Sequence, residues 1–178
     1  MISTLLFFLE GRSEEVFLRG FLPRIVPPRI DLQYRRFEGK QDLQKRLRVQ
    51  LRLWQRAETA FVVLRDQDAD AERPDALVRI ACHEVESWYL GDLLAVETAL
   101  DMKGLARHQD KRKYREPDSL PNPARELAIL TKDCYQKVSG SRAIGPHLRI
   151  DENRSSSLKA FVSGVRRLAG AEGEDAGA

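Results

Sequence analysis

Ile2 to Leu9 is apolar at nearly every position, and Glu10 ends the run. A strand with one wet face alternates apolar and polar residues, whereas a strand covered on both faces does not. The run therefore points to the inside of a parallel sheet with helices on both sides. It is too short to be a membrane span or signal peptide, and no basic leader precedes it. The first strand is expected to deliver the Glu10 carboxylate directly to its carboxyl end.

The rest of the chain continues in the same alternation. After Gly11, Ser13 is placed to cap a helix, Glu14 and Glu15 suit its first turn, and Val16, Phe17, Phe21 and Leu22 give it an apolar side. Pro23, Pro27 and Pro28 end that helix. Leu32 to Phe37 alternates, as a peripheral strand would. Gln41 to Glu58 predicts a helix with Leu43, Leu47, Leu51 and Trp54 on one stripe. Thr59 to Leu64 is a short β-branched run that empties into Arg65-Asp66-Gln67-Asp68-Ala69-Asp70. Leu77 to Cys82 predicts a fourth strand, and Ser87 to Leu100, Ala124 to Val138 and Ser157 to Leu168 predict helices. Such alternation predicts an α/β fold with a mostly parallel sheet and helices on both faces. Residues 1–168 are expected to form a single domain, with 103–125 as a basic loop or insert rather than core. Residues 169–178 are small and acidic and are expected to be a disordered tail.

Charge is unevenly spread along the 178 residues, although the net charge is only +3. From Arg19 to Arg56 there are eleven Arg or Lys residues against the acids Asp31, Glu38 and Asp42. A second basic cluster comprises Lys103, Arg107, Lys111, Arg112, Lys113 and Arg115, while acids gather around 10–15, 66–75 and 84–86. A basic surface beside an acidic pocket suits a polyanion acted on through metal. A solvated Arg-rich exterior accounts for the same charges equally well. Cys82 and Cys134 show no CxxC or Cys/His pairing, so reduced thiols and a cytoplasmic location are expected.

Ligands of parallel α/β sheets sit at the carboxyl ends of the strands. Glu10 ends the first strand, Asp66, Asp68 and Asp70 follow the third, and Glu84 and Glu86 follow the fourth. Taken singly, Glu14 and Glu15 suit a helix dipole, the aspartates suit a polar turn, and the 84/86 pair suits a first helical turn. Taken together they meet at one rim. Two carboxylates about 4 Å apart repel by roughly 4 kcal/mol at an effective dielectric near 20. Hard divalent ions such as Mg²⁺ or Mn²⁺ relieve that repulsion.

Other motifs fall away. Asp66-x-Asp68-x-Asp70 begins like an EF-hand loop, but Ala71 and Leu77 replace its glycine and glutamate. Gly140 to Gly145 is followed by Pro146 rather than Lys-Ser/Thr, so it is no P-loop. There is no GxSxG elbow and no second histidine for a zincin. Trp88, among Val85, Tyr89 and Leu90, reads as core.

Strand-Glu10-Gly11 with a later strand-Asp66-x-Asp68 resembles the TOPRIM signature of topoisomerases, primases and overcoming-lysogenization-defect nucleases. More narrowly, the chain resembles the bacterial "domain of unknown function 4276" family of TOPRIM-like proteins. The matching stretches are Glu10-Gly-Arg-Ser-Glu14, Asp66-Gln-Asp68, His83-Glu-Val-Glu86-Ser-Trp-Tyr-Leu-Gly-Asp92 and Tyr135-Gln-Lys137.

That resemblance implies a TOPRIM-like, Rossmann-like three-layer sandwich. It implies metal ligation by Glu10, Glu14, Asp66, Asp68 and Glu86, with Glu10 alternatively a general acid or base and Lys137 a cationic stabiliser near phosphate. The implied activity is Mg²⁺- or Mn²⁺-dependent cleavage of nucleic acid, DNA more than RNA, by a phage-defence subunit working with a separate ATPase. No tyrosine stands out as a covalent nucleophile, which argues against a topoisomerase. The alternative is a non-catalytic interaction or regulatory subunit that binds metal structurally, and either reading is compatible with an oligomer.

Overall fold

The computed structural model describes residues 2–66, 77–81 and 84–171. Four strands, β1 (Thr4–Leu9), β2 (Asp31–Arg36), β3 (Thr59–Asp66) and β4 (Leu77–Ala81), form one parallel sheet in the order β2-β1-β3-β4. Among the described residues seven helices accompany them: α1 (Arg12–Phe21), α2 (Lys40–Leu53), α3 (Glu86–Leu90), α4 (Leu93–Ala99), α5 (Pro123–Leu130), α6 (Lys137–Ile144) and α7 (Ser156–Ala169). This is a Rossmann-like α/β sandwich, as the alternating pattern required. No helix among the described residues is long and apolar enough to cross a membrane.

The apolar run at the start of the chain becomes the central strand because both of its faces find cover. Leu5, Phe7 and Leu9 point into the larger core, and Leu6 and Phe8 into a smaller one on the other side. The larger core holds α1 and α3 to α7. There Phe17 stacks on Phe21 with centroids 5.1 Å apart and meets Trp88 and Tyr89 at 5.7 and 5.4 Å. The smaller core lies under α2, where Leu43 is buried and Leu47, Leu51 and Trp54 pack beside it, the stripe read from the sequence. Strand β2 sits at the sheet edge and is half-exposed, which explains its alternation.

Several boundaries differ from the sequence reading, each through a contact made far along the chain or a local cap. Helix α2 stops at Leu53 rather than Glu58. Trp54 turns extended there, and its indole N–H donates to Thr59 Oγ1 at 2.9 Å, drawing the chain back towards β3. The expected helix over 87–100 is two helices. Asp92 caps α4 by accepting from the Ala95 amide, and a Cβ on Gly91 would sit 2.2 Å from Asn153 Oδ1. The expected helix over 124–138 is likewise two, parted where Lys132 and Asp133 take left-handed backbone angles. Residues 103–125 are mostly loop with short 3-10 turns, and they contribute Leu105 and Tyr114 to the main core. Ser13 is not the cap of α1. Gly11 occupies that position, and Ser13 is buried inside the first turn. The chain stays ordered through Gly170, the left-handed cap of α7, and Ala171, which packs on the core; the remainder of the expected tail, 172–178, lies outside the described residues.

Candidate functional site

Strand order decides where the site sits. The chain leaves β1 for one sheet edge and leaves β3 for the other, so loops diverge between these two neighbours. A crevice at such a switch point is the usual ligand position of open α/β sheets. Leu9 pairs with Leu64, which places Glu10 level with Arg65 on the adjoining strand and Asp66 one residue further. Arg65 Nε lies 3.9 Å from Glu10 Oε1, with each side chain only 13% exposed. The Asp66 backbone ends β3 opposite Ala81 of β4. Asp68, like His83, lies outside the described residues.

Glu14 follows within the first turn of α1 and is turned inward. Ser13 Oγ donates to its Oε1 at 3.1 Å, while Oε2 is buried without a hydrogen-bond partner among the described residues. Two successive glutamates of this helix meet different fates. Glu15, one residue on, faces outward and accepts from Arg19 at 2.9 Å. One glutamate therefore completes a surface pair and the other is held for the interior.

Glu86 opens α3 and is fully buried. The Tyr135 hydroxyl donates to its Oε1 at 2.8 Å, and its Oε2 has no partner among the described residues. Burial pushes the Glu86 carboxyl above its ordinary value, Lys137 and the Tyr135 hydrogen bond pull it back, and Glu84 adds to the rise. Ser141 Oγ lies 3.2 Å from the same phenol and donates to the Lys137 carbonyl at 2.5 Å. Tyr135 can reach Glu86 only because residue 140 has no side chain. A Cβ there would lie 2.4 Å from Tyr135 Cδ2. Burial foremost, with the charges of Glu86 and Glu14, pushes the Tyr135 phenol far up, so it stays a donor. Tyr89 stands edge-on to Tyr135 at 6.1 Å, its own phenol raised by burial, by Tyr135, by Glu86 and by Glu14.

Two other acids of the same segment have structural work. Glu84 Oε2 accepts from the Ala124 amide at 2.8 Å, tying the start of α5 in place. Asp92 is wholly buried; besides capping α4, it accepts from the Arg149 amide at 2.9 Å and from that guanidinium at 2.7 and 3.0 Å. Trp88 is core, as expected, with its indole N–H donating to Ser157 Oγ at 2.8 Å.

Of the residues singled out from the sequence, Glu86 sits in a buried network with Tyr135, Ser141 and the Lys137 backbone carbonyl, while the Lys137 side chain is exposed. Glu14 lies near enough for its charge to raise the Tyr135 phenol, and Glu10 stands at the adjoining strand end. Sequence reasoning missed Arg65 as a site residue, although parallel pairing of strands ending Leu9-Glu10 and Leu64-Arg65 would have indicated it. It also gave no role to Tyr135, Ser141 or Tyr89. A tyrosine two residues before the candidate lysine was the available signal for the first. Among the described residues, no group of three or more His, Cys, Asp or Glu side chains is gathered closely enough to hold a metal ion. The partnerless buried oxygens of Glu14 and Glu86 nevertheless suit a hard cation, which takes carboxylate oxygens as its ligands.

Comparison with known proteins adds one match. No curated protein and no solved structure matches the chain. A family model described as Domain of unknown function (DUF4276) matches residues 9–166, from the end of β1 almost to the end of α7 and across every candidate site residue. The chain belongs to the DUF4276 family.

Proposed function

We propose that this chain is a TOPRIM-like, metal-dependent nuclease that hydrolyses phosphodiester bonds. The observation that carries the reading is the pair of buried carboxylates, Glu14 and Glu86, each with one oxygen lacking a hydrogen-bond partner among the described residues, beside a switch point flanked by Glu10 and Asp66. An isolated buried carboxylate oxygen is costly, and such cost persists where a site needs it.

In this reading Glu14, Glu86, Asp66 and Asp68 hold Mg²⁺ or Mn²⁺, with Glu10 either a further ligand or the acid and base. When bound, the ions would activate water and offset charge on the attacking and leaving oxygens. The protein's own part is positioning. Tyr135 fixes one Glu86 oxygen and leaves the other directed by default to the ligand. Arg65 orients Glu10, and Lys137 brings positive charge to the same pocket. The notion of a defence subunit acting with a separate ATPase rests on the TOPRIM-like resemblance alone.

A second reading has an observation of its own. Arg65 beside Glu10 and the raised Glu86 carboxyl both move the pocket towards neutrality without any ion. That suits a regulatory subunit whose acids are structural. Cleavage of supercoiled plasmid by the purified chain with Mn²⁺ separates the two. Glu10→Ala and Asp66→Ala are each expected to lower cleavage by about 10²-fold or more. Cleavage that survives in both variants would remove these residues from the site, and a chain that binds Mn²⁺ without cutting would favour the second reading.

A further inference from the structure

The outward side of α1 borders an open groove of about 670 Å³. Arg12, Glu15 and Arg19 of α1 line it with Arg36 from the end of β2, and Arg142 of α6 and Pro146 close the far side. Four guanidinium groups face one carboxylate. Glu15 accepts from Arg19 at 2.9 and 3.0 Å and from Arg36 at 3.4 Å, and Arg19 also lies 4.5 Å over the Tyr34 ring. Two of the four cations are thus held in fixed orientation. Arg12 and Arg142 make no hydrogen bond or ion pair among the described residues. Their charge is left for something outside the fold.

Geometry ties this groove to the strand ends. Arg36 pairs in register with Leu9, the residue before Glu10, and Arg12 follows Glu10 by two. The groove then runs along α1 to Gly20. At 1.5 Å per residue that is ~12 Å, the axial length of about three phosphates on one duplex strand. A small-molecule pocket is enclosed and mostly apolar. An open track of arginines, which grip phosphate bidentately, is suited to a backbone rather than to bases.

We propose that this groove is the track of a nucleic-acid phosphodiester backbone, leading one strand along α1 to the switch point at Glu10. The proposal rests on nucleic acid being the substrate of the site above, but it is tested separately from cleavage.

Binding of a fluorescent 20-base-pair DNA duplex, and of matching single-stranded DNA and RNA, is followed by anisotropy in chelator across a salt series. Removing two phosphate contacts with Arg12→Ala plus Arg142→Ala is expected to lower the salt slope by about 2 and to weaken binding roughly 10- to 100-fold near 0.1 M salt. Arg48→Ala plus Arg52→Ala makes the same charge change on α2, across the sheet, and is expected to leave the slope in place. Three results each overturn the proposal: no binding by the unaltered chain, equal loss from the two pairs, or competition by polyglutamate as effective as by oligonucleotide. Groove-dependent binding by a chain that never cuts supports the proposal and removes the nuclease reading instead.

Discussion

Replacing Gly140 by alanine (Gly140→Ala) sets two opposed effects against each other. In a helix interior the change is favourable by about 1 kcal/mol, because alanine loses less backbone freedom. Here the new methyl would meet Tyr135 Cδ2 at 2.4 Å and Cε2 at 2.6 Å. Distances that short force the ring aside, at about 1–3 kcal/mol for overpacking. A displaced ring also withdraws its hydroxyl from Glu86 Oε1, now 2.8 Å away, leaving a second buried oxygen of that carboxyl unsatisfied for about 1–3 kcal/mol. The clash and the lost hydrogen bond win over propensity, with a net loss of about 3 kcal/mol within a range of about 1–5. For a chain of 178 residues that corresponds to a fall in Tm of roughly 6–12 °C. Thermal and urea unfolding measure it directly. Tyr135→Ala supplies the control, since on that background Gly140→Ala has no ring to strike and should stabilise by about 1 kcal/mol. A Gly140→Ala protein as stable as the parent, or the same effect on both backgrounds, would refute the argued role of the missing side chain.

Glu86 gives a pH signature whose sign follows from its raised carboxyl. The folded chain holds this proton more tightly than the unfolded chain, so the contribution to stability is full below the ordinary value of 4.5 and declines as pH rises through the raised one. Glu86→Gln, which keeps the acceptor for Tyr135, should flatten that decline; a stability profile with the parent's slope would sink the assignment. Asp92→Ala removes the α4 cap and leaves the Arg149 amide without its acceptor, and should cost about 2–3 kcal/mol in urea unfolding while any metal affinity is retained. Loss of metal binding in folded Asp92→Ala would make Asp92 more than a scaffold. Arg65→Met takes away the cation beside Glu10 and should tighten Mn²⁺ binding measured by calorimetry, unless Glu10 stands apart from the ions.

Much of the fold was legible because the strands declare themselves locally. Leu5 to Leu9 are buried on both faces, and their unbroken apolar run says so without reference to any other part of the chain. Glu10 and Asp66 could be placed at one rim by strand order alone. The helix boundaries were not legible, since distant residues set them: Asn153 crowds Gly91, and Arg149 engages Asp92. The Glu86–Tyr135 contact joins residues 49 apart, and nothing in either neighbourhood announces the other. Arg65 was overlooked for a different reason. A basic residue at a strand end beside aspartates reads as solvent-facing until the neighbouring strand is known to end in glutamate.

The sheet order β2-β1-β3-β4 also sets a timetable. During synthesis three of the four strands are complete by residue 66, with the second helix already between them. Glu10, Glu14 and Arg65 then exist on a half-built platform, while Glu86, Tyr135 and Lys137 have yet to emerge. At about 5–20 residues per second, several seconds separate the first carboxylate from the lysine. A fragment released early in that interval carries Glu10 and Glu14 but neither Glu86 nor the tyrosine that fixes its oxygen. Whatever chemistry the finished pocket performs is therefore withheld until α6 is made.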